Sequence, residues 1–84
     1  MAKGSKPKPG PISLAVAPIL NDAYLEMFIS QKRLGEMLGG IPQQTVSLYL
    51  RGERALDMDL FVTMCDVLSL DALVVFTAAL RSVK

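Results

Sequence analysis

The side chains best equipped for chemistry lie in one run, QQTVSLYLR, from Gln43 to Arg51. Its apolar members Val46, Tyr49 and Leu50 recur at helical spacing, so a helix puts them on an inner face. Gln43, Gln44, Thr45, Ser47 and Leu48 are then left outside. Two glutamines at the start of an exposed helix are unusual. A glutamine amide can bond an adenine edge through two atoms at once, and a helix fits the major groove of a duplex. Nothing else in the chain offers a reaction. There is no histidine, no glycine-rich phosphate loop and no metal-ligand spacing. The one cysteine, Cys65, cannot form an internal disulfide or a zinc site alone. It sits in an apolar helical pattern, so a small buried core residue is expected. We therefore expect no enzyme, no metal, no cofactor and no small-molecule ligand.

The stretch that must position this run is Ser30 to Arg54, SQKRLGEMLGGIPQQTVSLYLRGER. It reads as two short helices joined by a glycine turn. The first spans Gln31 to Leu38, with Leu34 and Leu38 on one face and Ser30 as its cap. Gly39-Gly40 ends it, because glycine accepts the left-handed conformation common just past a helix C-terminus. Ile41 plugs the turn, Pro42 suits the first turn of the next helix, and Gly52 ends that helix.

This pattern resembles the helix-turn-helix of the lambda-repressor/Cro-type (XRE) family. The residues that match are Gln31, Leu34, Gly35, Leu38-Gly39, Ile41, Gln43, Val46, Tyr49 and Arg51-Gly52-Glu53-Arg54. A weaker likeness runs from about Leu14 to Leu80. The resemblance implies an all-α fold: a compact five-helix lambda-repressor-like bundle whose second and third helices form the helix-turn-helix, with Gly35 letting the two cross closely. It implies a sequence-specific regulator that binds double-stranded DNA, of phage or prophage repressor type. Gln44 would be the leading base reader and Gln43 the next, while Leu48 could only touch something like a thymine methyl. Thr45 and Ser47 could serve bases or phosphates. Gln31, at the N-terminus of the second helix, would meet a phosphate and could brace Gln43. Lys32, Arg33, Arg51 and Arg54 would be further phosphate contacts, or simply solvated charges.

Two departures from the family are informative. Many members carry an arginine at the position of Tyr24 and a glutamate at that of Leu50, forming a partly buried ion pair. Replacing both charges by apolar groups can be neutral or better, so Tyr24 is expected to pack near Leu50. The second departure is the doubled glycine, one residue longer than usual between Leu38 and Gln43. It leaves the register between side chains and bases open by one position.

At 84 residues the chain is expected to form one domain with a small core. Its composition, 51% hydrophobic but only 6% aromatic, suits a helical core of aliphatic and Met side chains. Residues 1–11 hold Lys3, Lys6 and Lys8 among prolines and glycines. They read as a disordered basic arm, either following the duplex or merely solvated. Residues 12–84 are expected to form the DNA-binding domain. The net charge of +1 says little, but its distribution says more. Residues 30–54 carry four basic groups, Lys32, Arg33, Arg51 and Arg54, and two acids, Glu36 and Glu53, whereas residues 55–84 carry four aspartates with Arg81 and Lys84.

Helix one should lie within Ser13–Phe28, with Ser13 a candidate cap. Pro18 implies either an irregular first turn or a regular helix starting near Ala17. Asp57 should cap helix four, whose core face reads Met58, Phe61, Met64, Cys65 and Leu68. Asp71 should cap helix five, Ala72 to about Arg81. There the apolar residues surround the helix, which suggests that residues 71–84 dimerise through Leu73, Val74 and Leu80, or that the helix lies in a groove of its own domain. A homodimer would suit a palindromic operator. The longest apolar run, Ala72–Leu80, is about half a membrane span. No secretory signal is visible, so a cytoplasmic protein of a bacterial host, with no membrane partner, is expected. Two other functions fit the same pattern. One is the antitoxin of a toxin–antitoxin pair. The other is a protein-interaction module with this fold.

Overall fold

In the computed structural model, which describes residues 8–83, the first helix, α1 (Pro11–Leu25), begins before Ser13. Gly10 takes the capping position and Pro11 opens the helix, where a missing N–H costs nothing. Ser13 is not the cap. Its hydroxyl instead accepts a hydrogen bond from the Leu56 amide at 3.3 Å, tying α1 to the loop after the third helix. Pro18 does not delay the helix but lies inside it, on the exposed side. Having no N–H, it leaves the Leu14 carbonyl without its helical partner.

The next two helices are α2 (Gln31–Met37) and α3 (Gln43–Leu50). The Ser30 hydroxyl caps α2 by accepting from the Arg33 amide at 3.0 Å. Pro42 sits just outside α3, and its carbonyl accepts from the Val46 amide at 3.0 Å. Two more helices follow, α4 (Met58–Val67) and α5 (Ala72–Ser82). Asp57 caps α4 by accepting from the Leu60 amide at 2.7 Å. Asp71 caps α5 by accepting from the amides of Leu73 and Val74.

Three helices end alike. A residue at positive φ (Gly39, Gly52 or Ser69) donates back three residues, and its successor donates back five, in the pattern that closes a helix C-terminus. After α2 the pattern is extended. Gly39 and Gly40 both have φ of 98°, and the amides of Gly40 and Ile41 both donate to the Gly35 carbonyl at 2.9 Å. The doubled glycine is thus two successive left-handed residues, which only glycine adopts at little cost.

Among the described residues there are five helices and no strand. The second helix packs on the third, the first lies against both the third and the fifth, and the fourth packs on the fifth. The Cα radius of gyration is 12.5 Å, close to the ~12 Å expected of a compact domain this long. Val16, Leu20, Leu34, Val46, Met64 and Cys65 are fully buried at the centre. Tyr24 and Leu50 are both buried in that same core. Phe61, Cys65 and Leu68 also face inward, but Met58 is 83% exposed. It occupies the first turn of α4, at the mouth of an apolar groove rather than in the core.

Burial pushes the Cys65 thiol above its ordinary pKa, with the Asp71 carboxylate adding to the shift. A thiol held protonated by the fold contributes stability at neutral pH and loses it as pH rises past the ordinary thiol range, about pH 8.5. Urea midpoints between pH 7 and pH 10 are therefore expected to fall less for Cys65→Ala than for the parent. An equal fall in both would exclude this contribution.

Candidate nucleic-acid interface

The inner face of α3 fixes the outer one. Val46, Tyr49 and Leu50 are buried against the other helices, so Gln43 and Gln44 in the first turn are exposed. Thr45, Ser47 and Leu48 are only half-exposed, less open than the residue pattern implies. Gln31, Gln43, Gln44, Ser47, Leu48 and Arg51 line one shallow hollow. The start of α2 and the length of α3 therefore share a surface, which places Gln31 beside the same hollow as Gln43, the residue it was expected to brace, and Gln44. Thr45 does not line this hollow.

A second hollow lies on the other side of the α3 N-terminus, with Lys32, Glu36 and Pro42 in its wall. Gln43 and Gln44 line both hollows. They therefore form a polar ridge between the two hollows, and their amides can present a donor and an acceptor together.

The cations around the ridge are held in different ways. Arg33 Nη1 lies 3.4 Å from Glu36 Oε1, and Arg51 Nη2 lies 3.4 Å from Glu53 Oε1. All four side chains are more than half exposed, so each pair contributes at most about 1 kcal/mol and can yield to a phosphate. The Arg33–Glu36 pairing was signalled by its i,i+3 spacing, whereas the Arg51–Glu53 pairing follows from the chain reversal at Gly52. Lys32 is exposed and forms no ion pair among the described residues. The Arg54 guanidinium lies over the Tyr49 ring, 5.7 Å from its centre. Tyr49 is itself fixed in the core, so this cation is held beside the end of α3 rather than free on a loop. Lys8 is exposed, while Lys3 and Lys6 lie outside the described residues.

A deeper, apolar groove of about 280 Å³ opens elsewhere, between the starts of α1, α4 and α5. Leu56, Met58, Phe61, Val62, Leu73 and Phe76 contribute to it, and its polar lining is Ser13 and Asp57 alone. It shares no residue with the polar hollows and brings no catalytic set together. Leu73, Val74 and Leu80 are all exposed on α5. Among the described residues, no three His, Cys, Asp or Glu side chains cluster as metal ligands do. No single helix among them is long and apolar enough to cross a membrane.

Comparison with known proteins agrees with this geometry. A family model described as helix-turn-helix matches residues 25–73, from the end of α1 to the start of α5. No curated protein matches the chain, and no solved structure does.

Proposed function

The chain belongs to the Cro-type (XRE) helix-turn-helix family of DNA-binding regulators, and from that premise we propose that it reads a specific duplex sequence with α3 in the major groove. The observation that carries this reading is the ridge of Gln43 and Gln44, exposed on a helix whose other face is locked in the core. Gln44 bonds a base edge, adenine being the base whose major-groove donor and acceptor match an amide. Gln43 does the same or is braced by Gln31. Leu48, with Ser47 beside it, takes an apolar contact such as a thymine methyl, and Thr45 serves the backbone or a flanking base. Gln31, Lys32, Arg33, Arg51 and Arg54 take phosphates, with the basic arm (Lys3, Lys6 and Lys8) adding to them.

The regulator works as a homodimer on a palindromic operator, as a repressor of phage type. The exposed Leu73, Val74 and Leu80 on α5 support a contact between copies. On this reading the arm ends before Pro11, which already opens α1, rather than after it, the rest of the chain to residue 84 is the DNA-binding body, and residues 71–84 make the dimer contact. The same exposed apolar side chains also suit a toxin or another protein partner, which keeps the antitoxin reading as the second choice.

Two variants separate base reading from backbone contact. Gln44→Ala should cost about 1–3 kcal/mol on the preferred duplex and relax the choice at one base pair. Arg54→Ala should weaken every sequence alike and reduce the salt slope by about one. Titration of both variants against the preferred and a scrambled duplex at several salt concentrations checks this. Equal losses from both variants on both duplexes would contradict the division of roles.

A further inference from the structure

Two residues other than glycine have positive φ among the described residues, Phe28 at 55° and Ser69 at 60°. Ser69 is accounted for, since it closes the end of α4, where Leu70 donates to the Cys65 carbonyl at 2.7 Å. Phe28 is not. It lies in the turn between α1 and α2, and its side chain is 93% exposed, the barest large apolar residue described. A bulky residue in the left-handed region is a genuine outlier, and glycine or asparagine would hold that turn at lower cost. Its neighbours Met27 and Ile29 both pack against the core. The turn therefore anchors itself through residues 27 and 29 and turns the residue between them outward. A strained backbone that presents a bare ring gains nothing inside the domain, which points to a contact outside it.

The location says which contact. Three peptide units separate Phe28 from Gln31, so their Cα atoms lie within about 11 Å of each other. The Ser30 cap fixes the start of α2 between them. Gln31 lines the hollow it shares with Gln43, Gln44 and Arg51. With α3 in a major groove, the nearest surface beyond Gln31 is the sugar–phosphate strand bordering that groove. Lys32 and Arg33, just beyond Gln31, bring charge for its phosphates, and Phe28, at 93%, is far barer than the other apolar side chains near it.

We propose that Phe28 is a further DNA-contact residue, packing its ring on a deoxyribose of the strand that borders the groove. This rests on the reading of α3 as the groove reader. The contact is sequence-independent and releases no counterion, so it differs from both a base reader and a phosphate contact.

The test compares the parent, Phe28→Gly and Phe28→Tyr for thermal midpoint, self-association and binding to a fluorescent duplex over a range of salt. Phe28→Gly should melt higher than the parent, because the turn is relieved. It should nevertheless bind both preferred and scrambled duplexes about tenfold more weakly, as expected for losing one partly buried aromatic face. Its salt slope should be unchanged, and Phe28→Tyr should bind like the parent. Unchanged affinity in Phe28→Gly, a changed salt slope, a loss confined to one sequence, or a loss that follows weakened self-association would each overturn the proposal and leave the reading of α3 intact. A parent protein that binds no duplex at all would overturn both.

Discussion

Gly35→Ala is expected to lower the stability of the domain by about 3 kcal/mol, the upper range for forcing a group into a packed interior. A Cβ built on Gly35 overlaps the carbonyl oxygen of Ile41 and comes within 3.3 Å of Val46 Cγ2. The oxygen belongs to the backbone, so no rotamer change relieves the overlap. Moving it means moving the turn that the amides of Gly40 and Ile41 fasten to the Gly35 carbonyl. Domains of this size have roughly 5–15 kcal/mol in hand, and the loss corresponds to a fall in Tm on the order of 15 °C. Thermal and urea denaturation of the variant measure it directly. A midpoint within a degree or two of the parent would mean that α2 and α3 do not cross as closely as described. Because the same turn sets the angle of α3, the variant should also lose duplex binding when assayed below its own melting temperature.

Met64→Ala should cost about 3 kcal/mol, while Met58→Ala should change stability by no more than about 0.5 kcal/mol. Both methionines lie on α4 and both fit the apolar stripe of that helix. Met64 has no exposure, sits at the centre of the core, and would leave a cavity that its neighbours fill only in part. Met58 is nearly bare and contributes only to the wall of the apolar groove. Urea denaturation of the two variants side by side gives the comparison. Similar losses from both would show that the first turn of α4 is covered, as it would be if a second copy or a partner occupied that groove in solution.

These two methionines also show where the sequence stops being informative. Helical spacing correctly groups Phe61, Met64, Cys65 and Leu68, but spacing alone does not say whether the first turn of a helix has anything to pack against. Local features were legible because their causes lie within a few residues. The caps Ser30, Asp57 and Asp71 each accept from an amide two or three positions on. Gly39 and Gly52 stop α2 and α3 for reasons of backbone conformation, and the buried face of α3 follows from its period. Features set by distant parts of the chain were not legible. Ser13 looks like a cap, yet it serves Leu56, a partner 43 residues away. Pro18 looks like a helix start, yet α1 runs through it on the exposed side, where the carbonyl it leaves unpaired can meet water.

The candidate site divides in the same way. The outward placement of Gln43 and Gln44 could be read directly from the positions of Val46, Tyr49 and Leu50. The joining of Gln31 to them depends on how α2 meets α3, and only the family resemblance hinted at it. The half-burial of Thr45, the seating of Arg54 on Tyr49 and the strained, exposed Phe28 depend on three-dimensional neighbours and left no mark in the spacing of residue types.

The most direct measurement is selection of bound duplexes from a random pool by the parent protein and by Gln44→Ala, followed by sequencing. The parent should enrich a pseudo-palindrome whose half-sites repeat at about 10–10.5 base pairs and include an A·T pair under Gln44. Gln44→Ala should enrich the same site with that one pair relaxed. A parent pool no more ordered than its input, or a site unchanged by the loss of Gln44, would contradict the claim that the outward face of α3 reads DNA sequence.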